Sequence, residues 1–395
     1  MSVINLDHMS ANPLLPEVQE AMIAAIRENL GNPSSQHRLG ERAAELLDES
    51  RAAVAALVNA SVSREIVFTS GGTEAVNLAI KGVAWAKSDE GKGKHIVTSN
   101  IEHNAVIRSL RRLKLMGFTV TSVPVDDRGR VNPETVAKAI RPDTILVSIM
   151  HGNNEIGTIQ PVKEIAAVCK EKKVLYHCDA VDTVGVLPVD VQEMGVDLLS
   201  FASNPFYGPT GVGGLYVRRG VPIWSLFDGG VQENRKRAGT ENLVGIAGMA
   251  EAARLAARDM GARAAHTRKL RDLFLSKLPE YLSDYGINGD PENCLPNLVS
   301  VSVHHVEGES VVLMLDDEGF AVSTRSACAS GSLRASHVLL STGLGFADCQ
   351  GTLVITFGID NTEAEVMKFL AALKTSVTTL REISPLYKNG QGVPQ

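Results

Sequence analysis

Long apolar runs are missing from this 395-residue chain; none approaches the roughly 18–20 residues that a membrane-spanning helix needs. Its first nine residues, Met1 to Met9, carry neither a basic cluster nor an apolar stretch, so no secretory leader is read there. Cysteine is scarce. The five residues Cys169, Cys178, Cys294, Cys328 and Cys349 are odd in number, scattered and without a CxxC pair, which excludes a disulfide framework and zinc-knuckle spacing. There is no basic excess either: 39 Lys and Arg stand against 45 Asp and Glu, a net charge of −6, which argues against a dedicated nucleic-acid binder. Internal repeats, low-complexity tracts and polar linkers are also lacking. The expectation is a soluble, cytoplasmic protein with no membrane or nucleic-acid partner.

What is present is the composition of a packed globular protein, with 44% hydrophobic and 21% charged residues over a length that exceeds one ordinary domain. Helical periodicity runs through 17–29, 38–59, 74–87, 101–116, 132–140, 162–172, 243–261 and 264–282. Short β-branched runs lie between the first six and beyond them, at 65–69, 95–98, 119–124, 144–150, 174–178, 198–201 and 214–217. Strands alternating with helices across short loops predict an α/β fold with a doubly wound, mostly parallel sheet. Past 252–267 the pattern changes to strands at 298–303 and 353–357 with helices at 309–318 and 362–382. A smaller α+β domain built from 1–14 and 256–395 is therefore expected beside a large domain over 15–255.

Ligands of open α/β sheets bind beyond the carboxyl ends of the strands. The Thr69-Ser70-Gly71-Gly72-Thr73 turn sits at such an end and opens a helix, where free amides and the helix dipole favour an anion. His103, Asn153-Asn154-Glu155 and Asp179 follow successive strands. Each alone suits a structural role; together they outline a site. Two other patterns fail. Gly208, Gly211 and Gly213 precede a strand and not a helix, and His177-x-Asp179 has no third metal ligand at sensible spacing. Cys328 lies in a small polar segment, 323–334, with Arg325 and Arg334 nearby, the setting that lowers a thiol pKa. It is the candidate nucleophile, whereas Cys169 and Cys178 fall in a helix and a strand pattern.

Taken together, these residues resemble the cysteine desulfurases of the NifS/IscS type, within the class-V pyridoxal-phosphate (PLP) aminotransferases. The resemblance runs almost end to end. It is carried by Gly31-Asn-Pro-Ser-Ser35 with His37, the 68–74 segment, Glu102-His103, the 151–161 segment and Asp179-Ala180. The 195–200 segment, Tyr207-Gly208-Pro209, 230–233, 237–242, Leu295-Pro296-Asn297 and Ser326-Ala327-Cys328 complete it. The resemblance implies a PLP-transferase fold of type I. It places Gly72 and Thr73 around the cofactor phosphate, Ser203 among the cofactor-binding residues, His103 on the pyridine ring, Asn154 at the ring hydroxyl and Asp179 at the ring nitrogen. It further implies a homodimer in which Thr240 reaches the partner's phosphate. His103 and Cys328 would be catalytic, Cys328 taking sulfur from L-cysteine as a persulfide for a scaffold protein of the IscU/NifU type.

Several positions depart from the family. Its Ser-x-His-Lys segment falls on Ala202-Ser203-Asn204-Pro205, so proline stands where the lysine would hold the cofactor and move protons. PLP is then expected to bind only non-covalently. Asp182 stands where a glutamine is usual, and Val354 replaces the arginine that would clamp the substrate carboxylate, a loss of roughly 1.5–3 kcal/mol of directed binding. Relocation of the lysine's role to Lys81, Lys163 or Lys236 is disfavoured, because reacting atoms must be tightly placed. The leading expectation is a sulfur-transfer or iron–sulfur cluster assembly protein that is not a conventional PLP catalyst, with Cys328 as persulfide carrier or as ligand to a cluster at a partner interface. Two alternatives stay open: an active desulfurase using non-covalently held PLP, and different chemistry in the remodelled pocket.

Overall fold

The computed structural model describes residues 3–28, 31–324, 335–383, 387–388 and 391–392. A two-residue N-terminal strand, β1 (Ile4–Asn5), belongs with the C-terminal part of the chain. The next seven strands are β2 (Ile66–Thr69), β3 (His95–Ser99), β4 (Thr119–Val123), β5 (Thr144–Ser148), β6 (Leu175–Asp179), β7 (Leu198–Ala202) and β8 (Gly213–Val217). They form one sheet in the order β2-β8-β7-β6-β5-β3-β4. Every pairing from β7 to β4 is parallel, and β8 runs antiparallel to both of its neighbours.

Strands β3 and β5 inside the sheet, and β2 at its edge, are buried along their whole length, which explains why they read as continuous apolar or β-branched runs and not as alternating ones. Helices cover both faces. One apolar cluster joins Val54, Phe68, Val147, Tyr176, Phe201 and Met249, and another joins Ile80, Ile96, Val106, Leu146, Leu198 and Leu215. Alternate residues of β2, β3 and β7 divide between the two clusters, as the two-residue period of a strand requires. This is the doubly wound α/β architecture that the alternation predicts.

The two helical patterns at 243–261 and 264–282 form a single helix, Leu243–Tyr281. They join because Gly261 sits on an open helix face, with nothing near the position a Cβ would take, and Ala262, Ala264 and Ala265 follow it. A glycine there costs about 1 kcal/mol against alanine, too little to stop a helix packed at both ends. That helix runs from the large sheet into a second core of Leu6, Phe274, Val301, Phe320, Ile355 and Phe369. Here β9 (Tyr285–Ile287), β10 (Leu298–Val303) and β12 (Thr352–Thr356) form an antiparallel sheet in the order β12-β10-β9, and β11 (Phe320–Ala321) pairs in parallel with β1. No helix among the described residues is long and apolar enough to cross a membrane.

Candidate cofactor and substrate site

The candidate residues gather at the carboxyl edge of the large sheet. After β2 the chain turns through Gly71, whose φ of +152° is open to glycine, and enters the helical stretch that starts at Gly72. A side chain on Gly72 would meet Val181 Cγ2 at 2.5 Å, so this turn is pressed against the one that follows Asp179. Glu74 anchors it, accepting from the Ser70 N–H at 2.8 Å and from Arg237 Nε at 3.0 Å. Thr73 is exposed at the first turn. The first amides of this helix are therefore free to face an anion.

Asp179 ends β6 and is 5% exposed. Burial pushes its carboxyl up to about 6, against the opposing pull of the Val181 N–H at 3.2 Å and the Ser200 hydroxyl at 3.3 Å. His103 caps the helix after β3; its Nδ1 accepts from the Ala105 N–H at 3.1 Å, which places its proton on Nε2 and leaves an exposed ring at the site. Next to it Glu102 is completely buried. Its Oε1 accepts from Ser99 Oγ at 2.6 Å and from the Met150 N–H at 3.1 Å, while Oε2 has no partner among the described residues. Burial first, and then the charge of Asp179, raise Glu102 to about 8. Asn154 follows the buried Asn153, whose side chain bonds Ile101 O and the amides of Glu155 and Ile156, so it is held on a rigid turn. His151 bonds Thr183 Oγ1 at 2.9 Å, and burial lowers it to about 4.

The turn after β7 decides what the site can do. Pro205 is buried within Asn204–Phe206. Asn204 is fastened to the N-terminal segment: its side chain accepts from the Asn12 N–H at 3.2 Å, its carbonyl accepts from Asn12 Nδ2 at 3.1 Å, and its amide reaches Ser10 O at 3.4 Å. A narrow cavity beside Pro205 is bordered by His8, Asn12, Tyr207, Arg263, Asn297 and Phe357, and no lysine lines it. The Ser203 hydroxyl is fully buried with no hydrogen-bond partner among the described residues.

The sequence pattern of the family Aminotransferase class-V matches residues 4–369. The chain belongs to that family. Cysteine desulfurase IscS of Dictyoglomus turgidum is 47% identical over 382 residues, covering 97% of this chain and 96% of that one. Cysteine desulfurase IscS 1 of Archaeoglobus fulgidus is 44% identical, covering 97% and 99%. Among solved structures, a NifS-like protein matches with a TM-score of 0.89 at 38% identity over 96% of this chain and all of that one. The class-V membership and these full-length relatives place the chain with the NifS/IscS-type cysteine desulfurases.

The class-V family implies PLP, and the residues present fit its ring and phosphate but not its covalent attachment. Asp179 offers a buried carboxylate for a ring nitrogen, Gly72 a close-approach turn, and Ser203 an orphaned buried hydroxyl. Pro205 offers no amine. Val354 is 1% exposed and packs with Met9, Leu295 and Leu298 in an apolar cluster.

The remaining sequence candidates are placed as follows. Thr240 is exposed, 3.5 Å from Asn32 Nδ2, in a segment tied to the Gly72 helix by Arg237 and Glu74. Cys328, Arg325 and Arg334 lie outside the described residues. His177 is sandwiched between two serine hydroxyls, and among the described residues no cluster of three or more His, Cys, Asp or Glu could hold a metal.

Two features had no local sequence signal. Arg51 and Glu233 form a bidentate pair at 2.6 and 2.7 Å, and the same carboxylate accepts from the Phe68 N–H at 2.8 Å at the base of the phosphate turn. Glu102 is quoted in the family motif, but its buried carboxyl is held by Ser99 at the end of β3 and by Met150 just beyond β5, partners that no local pattern reveals.

Proposed function

We propose that this chain handles sulfur in iron–sulfur cluster assembly, in the cytoplasm, without running conventional PLP turnover. The observation that carries this reading is Pro205, buried in the turn after β7 with no lysine bordering its cavity. Without that amine there is neither a covalent anchor for the cofactor nor the usual base for moving protons on the amino acid. Val354 adds to it, because an apolar cluster cannot orient a carboxylate.

PLP would be held non-covalently. When bound, it supplies an electron sink. Asp179 would hold a proton at the ring nitrogen, His103 would cover the ring face, and Asn154 would meet the ring hydroxyl. Gly72, Thr73 and Ser203 would bind the phosphate. Thr240 would serve the partner's phosphate in a homodimer, a reading supported by the exposed Trp224, Phe227 and Val231 a few residues upstream. The division into a large unit, 15–255, and a small one, 1–14 with 256–395, would leave the Cys328 segment on the small unit. Cys328 would carry sulfur as a persulfide, or ligate a cluster, against a scaffold protein of the IscU/NifU type. The intact ring-nitrogen and phosphate side favours one second reading, a slow desulfurase that turns over L-cysteine with non-covalent PLP.

Borohydride reduction with added PLP tests the site. The parent protein is expected to release the cofactor on dialysis and to gain no pyridoxyl mass, and Pro205→Lys is expected to gain one per chain. Labelling of the parent would reveal a substitute lysine and overturn the reading. An unlabelled Pro205→Lys would show that the pocket no longer takes the cofactor.

A further inference from the structure

Three neighbouring strands join Asp179 to the middle of the sheet. The register pairs Ser148 of β5 with His177 of β6, and Asp179 of β6 with Ser200 of β7. Ser148 Oγ lies 2.9 Å from His177 Nδ1, His177 Nε2 lies 2.9 Å from Ser200 Oγ, and the Ser200 hydroxyl donates to Asp179 Oδ1 at 3.3 Å. Ser148, His177 and Ser200 are 0% exposed, so no water competes for these contacts.

A hydroxyl has one proton to give. The carboxylate is a stronger acceptor than a neutral imidazole, so the Ser200 proton points to Asp179. Ser200 oxygen must then receive from His177 Nε2–H, which leaves Nδ1 to accept from Ser148. The carboxylate end thereby sets the direction of every bond. Bonds aligned head to tail polarise one another, which strengthens the last one.

We propose that Ser200 and His177 are positioning residues for Asp179, forming a one-way relay that orients its carboxylate and keeps it anionic at the end of β6. His177 contributes a dipole and no charge, since burial lowers its pKa to about 3. The other ionisable groups near Asp179 are Glu102, three residues beyond β3, Cys178 on β6 itself, and His151 after β5, whose backbone N–H donates to the Asp179 carbonyl at 2.8 Å. Burial keeps all three uncharged near neutrality. Among the described residues no cation pairs with Asp179, so hydrogen-bond dipoles carry its ionisation. The use of that charge toward a ring nitrogen rests on the PLP reading above; the relay's hold on Asp179 does not.

The test is therefore made on the full chain without cofactor, by following the carboxyl carbon of Asp179 through a pH titration with 13C NMR. Ser200→Ala is expected to move the midpoint up by about one pH unit, the equivalent of one charge-assisted hydrogen bond. His177→Leu should move it in the same direction by less, and Ser200→Thr, which keeps the hydroxyl, should return it to the parent value. An unmoved midpoint in Ser200→Ala or in His177→Leu would overturn the relay. The parent protein gives an independent reading through the 15N shifts of the His177 ring. Above the Asp179 midpoint, from about pH 7 to 9, the proton must sit on Nε2, and a proton on Nδ1 there would also overturn it. Failure to bind PLP leaves both measurements intact.

Discussion

Replacing Glu102 by glutamine should remove a loss of stability with rising pH at the floor of the site. Glu102 is completely buried and is raised from an ordinary 4.5 to about 8, chiefly by loss of water. Between those two values the folded chain keeps a proton that the unfolded chain has released. Stability from this group is thus fully present below about pH 4.5 and is lost as pH rises through about 8. The displacement of about 3.5 pH units corresponds to an upper bound of ~5 kcal/mol at pH 8.5. Glutamine keeps the acceptor for Ser99 and Met150 but has nothing to ionise. Glu102→Gln should match the parent within about 1 kcal/mol at pH 5, where both side chains are neutral. At pH 8.5 it should be more stable by up to ~5 kcal/mol, which in a chain of this length is about 5 °C in Tm. Thermal melts of both proteins at the two pH values provide the assay. Parallel pH dependences, or a variant less stable at pH 8.5, would show that Glu102 is ionised in the fold and refute the reasoning.

Two further outcomes follow from the same physics. Iodoacetamide at neutral pH should label Cys328 well ahead of Cys169, Cys178 and Cys349, because burial raises Cys169 to about 12, Cys349 to about 11 and Cys178 well above the ordinary thiol value; peptide mapping showing equal labelling in the folded protein would remove Cys328 as the reactive thiol. Arg51→Met should destabilise the chain by about 3–5 kcal/mol in urea unfolding, since it strands Glu233 as an uncompensated buried charge; a loss under about 1 kcal/mol would mean that the pair is solvated.

Most of the large sheet was legible because each buried strand is a short apolar or β-branched run bracketed by helical periodicity, as in 144–148 and 198–202. The two-residue strands β1 and β11 were not, because Ile4 pairs with Phe320 across more than three hundred residues and leaves no local pattern. The stretches 243–261 and 264–282, read separately, are one helix, because the residues between them, Ala262 and Arg263, are good helix formers. Within the site, Asp179, His103 and the Gly72 turn could be named from their places after strands. The reason Asn204 tolerates its position could not, since its three bonds come from Ser10 and Asn12 in a segment that is far away in sequence. The Arg51–Glu233 pair was hidden for the same reason.

The central claim is that the scaffold remains while lysine-dependent turnover is gone. Alanine release from L-cysteine measures this most directly, run anaerobically with excess PLP and reductant and compared with Cys328→Ser. The parent protein is expected to release no more alanine than that control. Release that depends on Cys328 would contradict the claim and establish a desulfurase that works without its lysine.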